Sequence, residues 1–111
     1  MKSKTIIIAN DYTDTPAGRY KTDGSYSGER FREEFLYPAL QDNDEVNVDL
    51  NGALGFGSSF LEEAFGGLIR EKGMPLADIK GKLKIVSSRA LYNKRIWSYL
   101  EKAQAEKSKI W

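Results

Sequence analysis

Two adjacent serines, Ser58 and Ser59, stand between a glycine pair and a helical pattern in GFGSSFLEEAFGGLIR, residues 55–70. In α/β proteins a turn of this kind, at the start of a helix, is a common place for a bound phosphate or a reactive hydroxyl. Gly55 and Gly57 allow a tight turn, and the free backbone N–H groups of the helix start favour an anion. The residue types therefore suggest a catalytic serine, an anion site, a phosphoacceptor or a helix cap.

The composition excludes most of the chemistry that a catalytic serine needs. The chain has no histidine, which rules out a Ser-His-Asp triad, a histidine general base and histidine-bound zinc. It has no cysteine, which rules out disulfides, thiol nucleophiles and thiolate metal sites. An enzyme that used Asp49, Glu62 or Tyr20 would have no recognisable motif. We therefore expect a protein that is not an enzyme and that needs neither a cofactor nor a metal.

The glycines do not complete a known phosphate-binding motif. A P-loop requires a lysine after its last glycine, and none lies at or next to Gly57. The third glycine of the dinucleotide fingerprint is missing, and the nucleophile elbow fails because Phe60 and Leu61 follow Ser59. A serine N-cap on the following helix remains the simplest interpretation, since serine is a preferred cap residue.

A long segment, residues 11–27, follows the first predicted strand and mixes basic, aromatic and glycine residues. It is long for a connection, so it is either a functional loop or contains a small strand or hairpin. The candidate contact residues in and just after it are Arg19, Tyr20, Ser27 and Arg30. Acidic neighbours cancel most of the positive charge, which argues against a nucleic-acid surface. An alternative function is a small-molecule or nucleotide site, in which the amides of residues 57–59 hold a phosphate that Arg19 or Arg30 neutralises.

Strand and helix patterns alternate along the chain and must position these residues. The predicted strands are KTIIIAN, EVNVDLNG and KLKIVSS, at residues 4–10, 45–52 and 82–88. The predicted helices run from 28 to about 40, from 58 or 59 to 69, and from 91 to 105. This alternation is typical of right-handed βαβ units, so the predicted fold class is α/β with a small, mostly parallel sheet. The segments that follow the strands should meet at the carboxyl edge of the sheet.

Several local features refine this pattern. Ser27 is predicted to cap the first helix, which Pro38 should end or kink. The pair Gly66–Gly67 lies inside the second helix, where two glycines cost about 2 kcal/mol relative to alanine, so we expect close packing to compensate. GMPLADIKG, residues 73–81, is predicted as a connecting segment. In the tail EKSKIW, residues 106–111, we expect fraying.

The composition also indicates the class of protein. A chain of 111 residues predicts a single domain over residues 1–111, large enough to bury a core without disulfides or metals. With 41% apolar and 30% charged residues, it resembles an ordinary globular protein. The apolar run at residues 6–9 is far too short for a signal or membrane-spanning segment. We therefore expect a cytoplasmic location and no membrane partner.

The segments GRY, SGERFREEFLYPAL, VNVDLNG and GFGSSFLEEAFGGLIR together resemble the STAS-like domain family of bacterial proteins, which has no established function. The resemblance runs from the first strand through the second helix, about two thirds of the chain. That family is similar to STAS domains, the fold of anti-sigma factor antagonists, in which a strand leads to an Asp-Ser-Ser-Gly turn that opens a helix. By position, these four places are occupied by Gly57, Ser58, Ser59 and Phe60.

The resemblance implies a function as well as a fold. A helix start with two hydroxyls and no catalytic apparatus favours a non-enzymatic regulatory or protein-interaction domain, whose contact surface combines the Ser58/Ser59 turn, the first turns of the second helix and the loop at residues 19–27. The implied partner is an ATP-binding kinase of the histidine-kinase ATPase type, and Ser58 matches the serine that such a kinase phosphorylates. A phosphate there would add a charge of about −2 at a helix N-terminus, which favours it locally while it repels an acidic partner surface.

Overall fold

The computed structural model describes residues 1–108. Of the tail that was expected to fray, residues 106–108 continue the last helix, and residues 109–111 lie outside the described residues. The strands of its sheet are β1 (Ser3–Ile7), β2 (Glu45–Asp49) and β3 (Leu83–Val86). They are hydrogen-bonded in the order β1-β2-β3, and both pairings are parallel. The prediction of an α/β fold with a small parallel sheet is confirmed.

Helices connect the strands and follow the last one. They are α1 (residues 28–42), α2 (residues 58–70), α3 (Leu76–Lys82) and α4 (Ala90–Ser108). A wider, π-helical turn interrupts α1 at Arg32–Leu36 and α2 at Glu62–Gly66. Pro38 does not end α1. It lies in the first positions of the segment that follows the π-helical turn, where the N–H that proline lacks is not needed for a helical hydrogen bond.

The helix α3 corrects the prediction of a connecting segment at residues 73–81. Pro75 precedes it in an extended conformation, and Asp78 lies in its first turn, where a negative charge complements the helix dipole. Ile79 is fully buried and holds this short helix on the core. The helix has too few apolar residues for its period to be visible in the sequence.

One face of the sheet carries the hydrophobic core. Along β2, Val46 and Val48 are fully buried, whereas Asn47 and Asp49 point to the other face and are partly exposed. Right-handed crossovers between strands in the order 1-2-3 place the connecting helices α1 and α2 on the same face. The helix α2 lies in the middle of this helical layer, with α1 on one side and α4 on the other. Of the helices in residues 1–108, none combines the length and the apolar character needed to cross a bilayer.

The segment at residues 11–27 is an irregular loop that packs against the start of α1. Within the described structure a π-helical turn, Ile8–Tyr12, leads from β1 into it, and a short 3-10 turn, Lys21–Asp23, lies within it. It contains no strand, so the alternative of a hidden strand or hairpin is wrong. The carbonyl oxygens of Gly18 and Arg19 accept hydrogen bonds from the N–H groups of Gly28 and Glu29, each at 3.0 Å. These bonds satisfy the first two donors of α1, which explains why the loop follows the helix instead of the sheet.

Candidate functional site

The serine turn differs from its prediction in one respect. Ser58 and Ser59 are the first two residues of α2, and Gly57 occupies the N-cap position in an extended conformation (φ −75°, ψ 155°). The interpretation of either serine as the N-cap is therefore wrong, because the cap residue precedes the first helical residue. Both serine side chains are exposed. Their hydroxyls lie at the tip of the helix, where a partner can reach them.

The tight turn after β2 lies earlier than the glycines of the motif suggested. Gly52 has a φ of +94°, in the region that favours glycine, whereas Gly55 and Gly57 have no such backbone angle. A side-chain carbon at Gly57 would have no neighbouring atom within 4 Å, and one at Gly55 would meet the Tyr92 hydroxyl at 3.8 Å. The two glycines therefore leave open space around the serines.

Phe60 stands where the anti-sigma antagonist motif has glycine, and it belongs to the core. Its side chain is 1% exposed, and its ring centroid lies 6.1 Å from that of Phe31 and 5.8 Å from that of Phe56. At the other departure, Gly57, there is room for an acidic side chain. The loss of the acid is thus not forced by packing, whereas the aromatic ring at position 60 is needed to fill the space between α1 and α2.

A buried ion pair joins α1 to α2. Arg32 Nη1 lies 2.6 Å from Glu63 Oε2, and both side chains are 4% exposed. The same nitrogen donates to the backbone carbonyl of Glu63 at 2.8 Å. Gly67 makes room for this guanidinium, because a side-chain carbon at Gly67 would overlap it. Gly28 likewise allows α1 to touch the backbone of α2 at the Phe60 carbonyl. The close packing expected at Gly66–Gly67 is present at Gly67, where Arg32 supplies it; at Gly66 a side-chain carbon would instead meet the Glu62 carboxylate of the same helix.

This pair is the centre of a larger ion-pair cluster. Its members are Arg19, Arg32, Glu33, Glu62, Glu63, Arg70 and Lys72. Arg19 pairs with both Glu62 and Glu63, and Arg70 bonds the same two carboxylates at 2.7 and 3.1 Å. Burial alone would raise the pKa of Glu62, but the hydrogen bonds from Arg70 and Arg19 outweigh it and lower that pKa. The cluster therefore holds the loop to α2 through charged hydrogen bonds.

The two arginines that were predicted to neutralise a phosphate at the serine turn already have partners. Arg19 is held in the ion-pair cluster. Arg30 pairs with Glu34 through Nε at 3.1 Å and donates from Nη1 to the Ser25 carbonyl at 2.6 Å. Its guanidinium also lies over the Tyr26 ring, 5.7 Å from the centroid. This arrangement does not favour the alternative in which either arginine binds a phosphate at residues 57–59.

Ser27 and Tyr20, also predicted as contact residues, have different environments. Ser27 is fully buried, and its hydroxyl accepts a hydrogen bond from the Arg30 N–H at 3.1 Å, which confirms the predicted N-cap. Its carbonyl accepts a bond from the Tyr12 hydroxyl at 2.8 Å, and burial raises the pKa of Tyr12 to about 12, so that donor keeps its proton. Ser27 is therefore a buried structural residue of the loop and not a surface contact residue. Tyr20 is 50% exposed and Tyr26 is 42% exposed, so these two rings are open to a partner.

The structure brings the parts of the predicted contact surface together. The loop reaches α2 through Arg19 and Glu62, and it reaches the turn after β2 through the Leu54 N–H, which donates to the Asp14 carbonyl at 2.8 Å. Within residues 1–108, no group of three or more acidic side chains is placed to hold a metal ion. The Arg32–Glu63 pair was not predicted from the sequence. The sequence feature that pointed to it is the glycine pair Gly66–Gly67 inside a helix, because Gly67 leaves the space that Arg32 fills.

In a comparison with protein families, the model of the STAS-like domain of unknown function (DUF4325) matches residues 27–90. This range is more than half of the chain and includes α1, β2, α2, α3 and β3. It begins after β1 and the long loop and extends beyond α2, so it is placed further along the chain than the resemblance suggested. Comparison with curated proteins and with solved structures gives no match. The chain belongs to the family of STAS-like domains of unknown function.

Proposed function

We propose that this STAS-like domain is a non-enzymatic regulatory module that binds a protein partner through one contact surface. The contact surface consists of the serine turn at residues 57–59, the exposed side of the first turns of α2, and the loop at residues 19–26. The observation that carries the proposal is the exposure of two hydroxyls at the start of α2 beside an ordered loop with two exposed tyrosines. Tyrosine is enriched at protein interfaces, because its ring offers contact area and its hydroxyl offers a hydrogen bond.

We further propose that Ser58 accepts a phosphate, with Ser59 as the second candidate. A phosphate on Ser58 would lie one helical turn from Glu62, because residues four apart are neighbours on a helix. Its charge would be favoured by the helix dipole and by Arg19, and opposed by the Glu62 carboxylate that Arg19 now pairs with. Phosphorylation would therefore change the charge of the contact surface without a change in the core.

The proposed partner is an ATP-binding kinase of the histidine-kinase ATPase type. Support for this class comes from the family's similarity to anti-sigma factor antagonists and from the position of Ser58 in the motif. The open space at Gly57 and the ring at Phe60 give this turn a different shape from an Asp-Ser-Ser-Gly turn. A cognate kinase would therefore have to recognise a turn without an acidic side chain.

Affinity capture from an extract of the native host tests the contact surface. The variants are Tyr20→Ala, on the contact surface, and Val86→Thr, a control at a 42% exposed position on the sheet face away from the helices. We expect wild type and the control to retain an ATP-binding kinase, and Tyr20→Ala to retain about fivefold less, which is typical of an interface aromatic. Equal retention by all three chains, or no kinase above background, would contradict the proposal.

A further inference from the structure

A cavity of about 200 Å³ lies beyond the carboxyl ends of β2 and β3. Residues 50–54, which follow β2, form one wall, and residues 87–89, which follow β3, form the other. Tyr92 on α4 completes the lining. In open parallel sheets, ligands bind at this edge, because the loops that follow neighbouring strands converge there. The cavity therefore lies where a ligand site is expected in such a sheet.

The polar groups around the cavity are suited to an anion. The guanidinium of Arg89, the hydroxyls of Ser87 and Ser88 and the amide of Asn51 can all donate hydrogen bonds. No aspartate or glutamate lines the cavity in the described structure, and in residues 1–108 Arg89 forms no ion pair within 4.0 Å. This distinguishes Arg89 from Arg19 and Arg30, which already have carboxylate partners. The site therefore offers a positive charge that the fold itself does not use.

The walls of the cavity are held in place by direct contacts. The Ser88 N–H donates to Asn51 Oδ1 at 2.9 Å, which joins the two loops. The Arg89 N–H donates to the Ser87 hydroxyl at 3.1 Å, and the Arg89 guanidinium lies over the Tyr92 ring, 5.9 Å from its centroid. These contacts position Asn51, Ser87 and Arg89 before a ligand arrives, which lowers the entropic cost of binding.

We propose that this cavity binds the phosphate group of inorganic phosphate or of a small phosphate monoester, with Arg89 as its principal cation. A volume of about 200 Å³ is below the range of about 300–1,000 Å³ in which whole drug-sized ligands bind, so it fits a phosphate group and leaves any organic part outside. The proposal goes beyond the proposed function, because it uses neither Ser58 nor Ser59.

Titration of the ¹⁵N-labelled full chain, followed by NMR, tests this site. The probes are inorganic phosphate, a sugar phosphate and adenosine monophosphate, with acetate and chloride at equal ionic strength as controls. We expect saturable shifts at residues 51–53 and 87–90 with the phosphate-bearing probes only. Tightest binding of inorganic phosphate would identify a free-ion site, and tightest binding of a monoester would identify an organic phosphate as the ligand. Shifts that do not saturate, or that acetate reproduces, would overturn the proposal.

Variants assign the binding to Arg89. Arg89→Gln should weaken phosphate binding by about tenfold or more, as expected for the loss of a charged hydrogen bond. Arg95→Gln removes the same charge from an exposed position further along α4 and should bind like wild type. Unchanged affinity in Arg89→Gln would refute the assignment. The double variant Ser58→Ala, Ser59→Ala should retain phosphate binding, so failure of this proposal and failure of the contact surface are separable.

Discussion

At the scale of single residues, the packing of Arg32 against Gly67 explains why α2 contains a glycine at position 67. A helix with two adjacent glycines is intrinsically weak, and the second of them is required because the Arg32 guanidinium occupies the space of its missing side chain. That guanidinium is 4% exposed and pairs with Glu63 at 2.6 Å and with Glu33 at 2.8 Å. Removal of one partner of a buried ion pair is costly where the other charge is left uncompensated, and here Arg19 and Arg70 also compensate Glu63.

Gly67→Ala tests this explanation. The added carbon displaces the Arg32 guanidinium from Glu63, which keeps Arg19 and Arg70 as charge partners, so the cost lies below the roughly 3–5 kcal/mol of a buried charge left unpaired. The gain in helix propensity of about 1 kcal/mol offsets part of that cost, so we expect a net loss of about 1–3 kcal/mol in the free energy of unfolding. Chemical denaturation measures this quantity directly.

The matched control is Gly81→Ala. Gly81 is also a helical glycine, in α3, but a side-chain carbon there would have no neighbour within 4 Å. This variant should be more stable than wild type by about 0.5–1 kcal/mol, because alanine lowers the entropy of the unfolded chain and favours the helix. If Gly67→Ala behaved like Gly81→Ala, the packing role of Arg32 would be wrong.

At the scale of elements, the ion-pair cluster holds the loop, α1 and the end of α2 together. Burial alone would raise the pKa of Glu33, as it would that of Glu62, but hydrogen bonds from Lys72 and Arg32 outweigh it and lower that pKa. A carboxyl whose pKa is lower in the folded state than its ordinary value of 4.5 stabilises the fold above that pH. Its contribution is lost as the pH falls from 4.5 through the folded-state pKa.

Acid should therefore destabilise the protein partly through these two residues. Wild type should lose stability progressively as the pH falls below 4.5, and the double variant Glu33→Gln, Glu62→Gln should be less stable at neutral pH but lose less on acidification. Thermal unfolding across this pH range measures both effects. Glu101→Gln, at an exposed position on α4, is the control and should follow wild type. Parallel curves for wild type and the double variant would rule out the contribution of the cluster.

The sequence predicted the elements better than it predicted their contacts. The strand β2 buries alternate residues, Val46 and Val48, and α2 buries one apolar stripe. Each pattern leaves a clear period of apolar residues in the sequence, so both elements were predictable. The helix α3 was missed because a short helix with one fully buried residue, Ile79, leaves almost no period. The Arg32–Glu63 pair joins residues from different helices, and the sequence alone does not reveal which charge will be buried opposite which glycine.

At the scale of the whole molecule, the candidate sites gather at the carboxyl edge of the sheet. The turn after β2 lines the cavity at Arg89 and leads directly into the serine turn. Between the cavity and the serine turn, the Phe56 N–H donates to the Tyr92 hydroxyl at 3.4 Å. The sequence predicted this meeting of segments from the parallel topology. The alternative drawn from the sequence had a phosphate at residues 57–59, neutralised by Arg19 or Arg30, and did not consider Arg89. The sequence does not show that Arg19 and Arg30 pair with acidic residues, because those contacts form only in the folded structure.

The central claim is that Ser58 or Ser59 accepts a phosphate from a partner kinase. The most direct measurement is mass-spectrometric mapping of phosphate on the protein, both isolated from its native host and incubated with ATP and each cognate kinase of the anti-sigma type. Ser88 is an internal control, because it is also an exposed serine close to a helix start. We predict phosphate on Ser58 or Ser59, lost in Ser58→Ala, Ser59→Ala, and none on Ser88. No phosphate on Ser58 or Ser59 with any kinase would contradict the account.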